Sequence, residues 1–278
     1  MIEILINTLI DNSIITAFLF VGVVTYLSYW ISKNLTAGII HGSAIAITLG
    51  LILAYAGGLY EGGTRGLADI PIFAGVGILG GAMFRDFAIV ATAFGVDLKN
   101  LKEAGMIGAL SIVLGVILSF FIGAIVAVLF GYTDPVSITT IGAGAATYIV
   151  GPVTGTALSA SADVIALSIA VGLIKSILVM IITPFVAPLI KLNNPHAAMI
   201  FGGLMGTTSG VAGGLAATDP KLVPYGAMTA TFYTGAGCLM APSVLYLIIN
   251  LIYYLIPFLF SHRIFLYCIL YLKQHLVL

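Results

Sequence analysis

Charged residues are scarce in this chain of 278 residues: lysine, arginine, aspartate and glutamate together make up only 7% of it. Soluble domains carry about 25% charged residues, so this chain has too few to cover a surface that faces water. The ten basic and ten acidic residues give a formal net charge of zero, which argues against nucleic acid or an acidic protein as a partner. The lack of charge therefore excludes a soluble domain and predicts an integral membrane protein.

Cysteine and histidine are also too few and too scattered to form a reactive centre. Cys238 and Cys268 lie in apolar stretches without CxxC spacing, and the four histidines have no ligand spacing. The chain has no HExxH, no Walker A sequence and no GxSxG in a strand-to-helix context. The sequence therefore predicts a protein that is not an enzyme and that holds no organic cofactor.

Apolar residues dominate instead, at 61% of the chain with a mean hydropathy of +1.20. Long apolar runs predict an all-α, polytopic membrane protein. We expect residues 1–257 to form one membrane transport domain and residues 258–278 to be a C-terminal tail without an assigned role. The run at residues 104–130 is long and uniformly apolar, which predicts a lipid-facing or scaffold span. The apolar runs cover residues 14–31, 39–60, 104–130, 163–189 and 226–257.

Residues 73–95, FAGVGILGGAMFRDFAIVATAFG, combine an apolar composition with a charged pair, Arg85 and Asp86, at their middle. A charge at the centre of a bilayer-spanning helix costs about 2.5–3.5 kcal/mol. Glycines before the pair weaken a helix at that depth, by about 1 kcal/mol each relative to alanine. Something polar must meet each charge, and a broken helix with a buried charge is typical of a transport site.

Two further stretches are rich in glycine and hydroxyl groups. Residues 136–161 contain GAGAATYIVGPVTGTALSAS, and residues 197–217 contain GGLMGTTSGVAGGLAA. Irregular backbone at membrane depth is tolerated only where protein or a wet cavity satisfies its polar groups. We expect the first stretch to be a broken helix or re-entrant hairpin with its tip near Gly151 and Pro152. The distribution of lysines in the loops favours the hairpin.

Weak internal repeats appear at two different offsets. Gly75-Val76-Gly77 resembles Gly142-Ala143-Gly144, and His41 resembles His196 in opening a segment with paired glycines. Transporters commonly contain two copies of one unit. Because the offsets differ, a simple duplication does not follow, and chance similarity between glycine-rich segments is the alternative.

The interrupted segments hold the candidate ligand-binding residues. A planar guanidinium suits a carboxylate, hydroxyl groups donate to an anion, and free N–H groups of broken helices attract anions. Carboxylates and free carbonyl groups attract a small cation. We predict substrate binding by Arg85, Thr154, Gly155, Thr156, Thr207, Thr208 and Ser209, and cation binding by Asp86, Gly151 and Asp163.

Each candidate also has a purely structural interpretation. The structural alternative for Arg85 and Asp86 is an ion pair elsewhere in the bundle, with Lys175 as the candidate partner of Asp86. Membrane threonines often bond a carbonyl of their own helix, and Asp163 is placed to cap the next helix. Lys175 has three alternative roles: its side chain extends to the membrane surface, pairs with an acidic residue or contacts the substrate. The sequence leaves these alternatives open.

Long strings of the chain resemble the large M subunit of the bacterial two-component malonate:sodium symporters. The strings are HGSAIAI from His41, GLADIPIFAGVGILGGAMFRDFAIVATAFGV from Gly66, TTIGAGAATYIVGPVTGTALSASADVIALSIA from Thr139 and NNPHAAMIFGGLMGTTSGVAGGLAATDPKLVPYGAMTATFYTG from Asn193. The resemblance implies a subunit that imports malonate with Na⁺ as the coupling ion, beside a smaller L subunit, in the bacterial cytoplasmic (inner) membrane. Residues 258–278 do not share it.

Resemblance and residue chemistry together lead us to expect alternating access, in which interrupted segments move against scaffold spans, as in elevator-type transporters with internal repeats. Three alternatives remain open on the residues alone. They are a sodium- or proton-coupled carrier of another small mono- or dicarboxylate, a pore-forming channel subunit, and an intramembrane enzyme.

Overall fold

The computed structural model describes residues 2–63, 66–79 and 98–255, and every regular element in these ranges is a helix. Arg85, Asp86 and the predicted tail lie outside the described residues. The N-terminal helices are α1 (Ile2–Asp11), α2 (Ser13–Leu35), α3 (Gly42–Glu61) and α4 (Ala74–Ile78), with 3₁₀ turns at Gly66–Asp69 and Pro71–Phe73. The remaining helices are α5 (Leu98–Leu129), α6 (Pro135–Ala146), α7 (Val150–Ala157), α8 (Ala162–Val186), α9 (Pro195–Met205), α10 (Thr208–Ala216), α11 (Val223–Met240) and α12 (Tyr246–Leu255). A 3₁₀ turn at Pro220–Leu222 precedes α11, and a π-helical turn at Ala241–Leu245 joins it to α12.

Five helical stretches in the described part are long and apolar enough to cross a membrane. Their outward faces are apolar too, as at Leu118, Ile122 and Ile125 of α5, which are all exposed. Exposed side chains of this kind suit contact with lipid. The prediction of an all-α polytopic membrane protein is confirmed. The five stretches are Ser13–Leu35, Gly42–Glu61, Gly105–Leu129, Ala162–Val186 and Pro220–Leu255.

Helices α6 and α7 form a first hairpin (residues 135–157). A Cβ atom built at Gly151 would lie 2.9 Å from the Gly144 Cα, and one built at Gly155 would lie 2.9 Å from Thr140 Cγ2. These contacts run in opposite directions along the two helices, so α7 returns alongside α6. Twelve residues of α6 rise only about 18 Å, which is about half of a membrane. The expected interruption is therefore confirmed, and it takes the form of a helical hairpin that is short enough to be re-entrant.

The tip of this hairpin lies at residues 147–149, slightly before the predicted Gly151 and Pro152. Thr147 is extended, and its carbonyl accepts hydrogen bonds from the N–H groups of Val150 and Gly151 at 3.0 and 3.3 Å. Gly151 and Pro152 belong instead to the first turn of α7. Proline is favoured there because its missing N–H would have no partner in the helix. The predicted tip was wrong by a few residues for this reason.

Helices α9 and α10 form a second hairpin (residues 195–216), which is held against α11. A Cβ atom built at Gly226, near the start of α11, would lie 3.0 Å from Val211 Cγ1 of α10 and 3.2 Å from the Ala198 carbonyl oxygen of α9. The outer ends of both arms therefore lie at one level. The chain reverses at Gly206, whose φ of 73° is in the left-handed region that favours glycine.

The two hairpins point in opposite directions along α8, because their outer ends lie against its opposite halves. Gly155 of the first hairpin packs on Ile165 near the start of α8, whereas Gly214 of the second hairpin packs on Thr183 near its end. The 25 residues of α8 span about 37 Å, enough to cross the bilayer. The hairpins are thus inverted relative to each other.

Helix α5 packs against both hairpins and is more than a smooth lipid-facing span. A Cβ atom at Gly115 would meet the backbone of Leu204 in α9, and one at Gly123 would lie 3.1 Å from the Gly142 Cα in α6. Helix backbones approach this closely only where side chains are minimal. The prediction of a lipid-facing or scaffold span for residues 104–130 is compatible with both faces of α5, because the outward face is apolar and exposed and the inner face packs on the hairpins.

A sequence repeat links the two hairpins at an offset of 60 residues, which differs from the offsets of both weak repeats described from the sequence. Asp134-Pro135 and Asn194-Pro195 open α6 and α9, Gly142 matches Gly202, and Thr147 matches Thr207. Asp134 Oδ1 accepts from the Ser137 N–H at 2.8 Å, and Asn194 Oδ1 accepts from the Ala197 N–H at 3.0 Å. Each hairpin therefore begins with a side-chain cap followed by proline at the first helical position.

We expect Asn194→Ala to destabilise the fold by about 1 kcal/mol, the usual effect of losing an N-cap. The midpoint of detergent-induced unfolding measures this change. Asn34→Ala is the control, because Asn34 is exposed near the end of α2 and its amide donates to the Trp30 carbonyl of the same helix at 2.8 Å, so it caps no helix start. Equal shifts for the two variants would contradict a capping role for Asn194.

Candidate functional site

The hairpin tips meet α8 on successive turns. A Cβ atom at Gly172 would overlap the backbone nitrogen of Tyr148 at the first tip. One turn later, Ser176 and Thr207 share a hydrogen bond between their hydroxyl groups at the second tip. Lys175 lies between these two contacts on α8. The meeting point of the tips is therefore at mid-span, beside an amino group.

The ammonium of Lys175 is surrounded by oxygen atoms from three other elements. Its Nζ atom donates to the Ala146 carbonyl at 2.8 Å and to Ser119 Oγ at 2.9 Å, and it lies 3.5 Å from the Tyr233 hydroxyl. It also lies 5.3 Å from the centre of the Tyr233 ring, within the range of a cation–π contact. Within the described ranges, no carboxylate forms an ion pair with Lys175. Among the residues that the structure describes, neutral dipoles compensate this charge.

Tyr233 connects α11 to this centre. Its side chain is fully buried, and its hydroxyl donates to the Gly115 carbonyl of α5 at 3.1 Å. Its ring fills the space beside Gly206, where a Cβ atom would overlap ring carbons. A single tyrosine therefore fixes α5, α11 and the second tip around Lys175.

The predicted residues of the second tip lie at the start of α10. Thr207 caps this helix, with Oγ1 accepting from the Gly210 N–H at 3.4 Å. Thr208 and Ser209 form the first turn, and the buried Ser209 hydroxyl has no hydrogen-bond partner among the described residues. The N–H groups at a helix start lack partners within the helix and carry a partial positive charge. This helix end therefore has the polarity that suits an anion.

The predicted residues of the first hairpin differ in their environments. Thr154 is fully buried, and its hydroxyl has no partner within the described part of the chain. Gly151 and Gly155 are buried contact points for Ser168 and Ile165 of α8. Thr156, two residues after Thr154, is exposed. Of this group, only Thr154 offers an unused buried polar atom.

The predicted cation ligands are not assembled at the tips. Asp163 is exposed in the first turn of α8, after the cap formed by Ser161, whose Oγ accepts from the Val164 N–H at 3.4 Å. It precedes Lys175 by 12 residues, or about 18 Å along the helix. Asp86, like Arg85, lies outside the described residues, so the structure places neither.

Sequence reasoning gave no role to Ser119, Ser176 or Tyr233 and left the role of Lys175 open. The signal for Lys175 was present, because a lysine at the middle of a membrane span needs a polar partner. Ser119 gave no signal, since it lies in a uniformly apolar run. Its importance arises only from the packing of α5 against the first tip.

An open groove leads to the same lysine. It runs between α8 and α9, has a volume of about 780 Å³ and is lined mainly by apolar side chains. Lys175 provides a charged group at one of its ends, among Ile174, Leu178, Leu204 and Met205. The lysine side chain therefore has free space beside it as well as oxygen partners.

Two inverted half-membrane hairpins that meet beside a charged group are typical of a secondary transporter, in which irregular backbone at the midplane binds solute and ion. Residues 5–253 match the family described as the malonate/sodium symporter MadM subunit. Because this match covers most of the chain, the protein belongs to the MadM family, as its sequence strings indicated. No curated protein and no solved structure matches the chain.

Proposed function

We propose that this protein imports malonate together with Na⁺ across the bacterial cytoplasmic membrane, as the large M subunit beside a smaller L subunit. Its membership of the MadM family supports the substrate and the coupling ion. The observation that carries the proposal is the position of Lys175 between the tips of two inverted hairpins. A dicarboxylate needs a positively charged site in the membrane interior, and this position supplies one.

Malonate carries two carboxylates on one carbon, so it requires two anion-binding groups close together. Lys175 binds one carboxylate as a charge-assisted pair. The start of α10 binds the other through its N–H groups and the hydroxyls of Thr207, Thr208 and Ser209. Arg85, Thr154, Gly155 and Thr156 stay in this proposal as further substrate ligands, on the strength of their chemistry in the sequence. Asp86, Gly151 and Asp163 stay as candidate cation ligands on the same basis.

The inverted hairpins suggest how access alternates. Each hairpin enters from its own face, so displacement of one tip from α8 opens the site to that face only. Helix α5 contacts both hairpins through glycines and therefore moves with them. The N-terminal pair α2–α3 is attached more loosely, for example where the Ser43 hydroxyl meets the Met180 sulfur at 3.6 Å. An elevator-type motion would move α5–α11 against α2–α3.

Uptake into liposomes tests the function. The purified chain is reconstituted with and without the small subunit, and radiolabelled malonate uptake is measured with an inward gradient of Na⁺ or of K⁺ at fixed pH. We expect saturable accumulation above the external concentration with Na⁺ only, because coupled transport needs both ligands bound. Uptake that does not depend on Na⁺ and is driven by a pH gradient would contradict sodium coupling. Uptake that never saturates would indicate a channel.

A further inference from the structure

We propose that the ammonium of Lys175 occupies the sodium site of this carrier and that Na⁺ displaces it when malonate binds. This inference depends on the proposed function and adds the mechanism of coupling to it. Its basis is the set of groups that the ammonium contacts. An ammonium has three N–H donors and no acceptor, and the three oxygens around Lys175 come from Ala146, Ser119 and Tyr233.

The same three oxygens suit a small hard cation. Such ions bind carbonyl and hydroxyl oxygens in proteins. The Ala146 carbonyl belongs to the last residue of α6, where carbonyls lack helical partners and the helix dipole is negative. The N–H group of Val150, its natural partner, bonds the Thr147 carbonyl instead. The Ala146 oxygen is therefore free for a cation.

The orientation of Tyr233 supports the same conclusion. Its hydroxyl proton is donated to the Gly115 carbonyl at 3.1 Å, so its lone pairs remain available to accept. Ser119 Oγ also acts as an acceptor towards the ammonium at 2.9 Å. Three neutral oxygens thus turn their electron pairs towards one point. Such a site suits either a cation on a side chain, such as the Lys175 ammonium, or a free ion such as Na⁺.

The ammonium cannot hold these three oxygens and a carboxylate with the same three protons. When malonate binds, Lys175 must turn away from the oxygens, and the groove beside it provides the space. The three oxygens would then lack a partner, which is unfavourable for polar groups inside a membrane. Sodium entering the vacated position removes that cost. Malonate therefore raises the affinity for Na⁺, and Na⁺ raises the affinity for malonate by the same factor.

Binding of ²²Na⁺ to purified protein in detergent, without malonate, tests the inference. We expect Lys175→Met to half-saturate at about one tenth of the Na⁺ concentration that the parent needs, a typical coupling factor. Added malonate should tighten Na⁺ binding to the parent and leave the variant unchanged. An unaltered Na⁺ affinity in Lys175→Met would overturn the inference. Sodium-driven malonate uptake by the parent would still stand, so the two failures are distinguishable.

Removing the positive charge of Lys175 raises the affinity for Na⁺ by electrostatics alone. A second variant separates this effect from the end of competition for the shared oxygens. Ser119→Ala added to Lys175→Met should cancel the gain in Na⁺ affinity. Ser111→Ala is the matched control, since Ser111 lies on the same helix about 12 Å away and bonds the Gly108 carbonyl of its own helix at 2.7 Å. Equal effects of the two serine substitutions would overturn the inference.

The serine variants also test the inference without any change at Lys175, which covers the case in which Lys175→Met does not fold. In the parent background, Ser119→Ala should lower the factor by which Na⁺ raises malonate affinity by at least about fivefold, because one of the oxygens that both cations use is gone. Ser111→Ala should leave this factor unchanged. The same factor in both variants would show that Ser119 does not hold the ion.

Discussion

Replacing Lys175 by methionine should lower the initial rate of sodium-driven malonate uptake by at least about 100-fold, because a carboxylate left without its buried charge partner costs about 3–5 kcal/mol. Methionine keeps the length and much of the volume of the lysine side chain, so the packing of α8 between the tips is preserved. The measurement is radiolabelled uptake in liposomes at equal protein content. Tighter Na⁺ binding by the same variant does not rescue uptake, since malonate has lost its ligand.

Lys221→Met is the control for the loss of a positive charge as such. Lys221 is exposed in the 3₁₀ turn before α11, away from the hairpin tips. Lys175→Arg should also transport poorly, because a planar guanidinium does not fit three oxygens arranged for a compact ammonium. Uptake by Lys175→Met close to that of Lys221→Met would remove Lys175 from the substrate site.

Gly206→Ala is expected to disrupt the second tip and with it most of the uptake. Gly206 has a φ of 73°, which costs a residue with a Cβ atom about 1–2 kcal/mol. The new methyl group would also overlap the ring of Tyr233, and overpacking of this kind costs about 1–3 kcal/mol. Because Tyr233 fixes the oxygens around Lys175, we expect lower thermal stability together with weaker binding of both ligands.

Gly235→Ala is the matched control for this prediction. Gly235 lies in α11 two residues after Tyr233, and a Cβ atom there would meet nothing within 4 Å. Alanine at this position should leave stability unchanged or raise it, because alanine is favoured over glycine in a helix interior by up to about 1 kcal/mol. A melting temperature lowered equally by both substitutions would show that the contact with Tyr233 is unimportant.

The sequence predicted the interrupted segments because their physics is local. Glycine, proline and hydroxyl groups in residues 136–161 and 197–217 cannot form a lipid-exposed rod, so a half-membrane hairpin was foreseeable. The predicted tip lay a few residues too late because glycine and proline, here Gly151 and Pro152, are typical of a chain reversal, whereas proline also suits the first turn of a helix. The offset of 60 residues, with a capped proline, a glycine and a threonine in register, was available in the sequence as a signal for the second hairpin.

The centre itself could not be predicted in the same way. Lys175 and its partners Ser119, Ala146 and Tyr233 are separated by 29 to 58 positions along the chain. Of the ten predicted site residues, the structure places Thr207, Thr208 and Ser209 at a tip and leaves Asp163 exposed at the start of α8. It buries Thr154, whose hydroxyl has no hydrogen-bond partner among the described residues. No periodicity or motif links residues that are this distant.

The long sequence strings indicated the MadM family. Composition, hydropathy and the glycine pattern by themselves determined that this chain lies in a membrane, is helical and interrupts its helices at mid-depth. Those properties follow from how each short segment satisfies its own backbone in lipid. The tertiary structure alone decided that the two hairpins oppose each other and that their tips meet at Lys175. Close backbone contacts at glycines between distant helices set that geometry, and no segment contains them by itself.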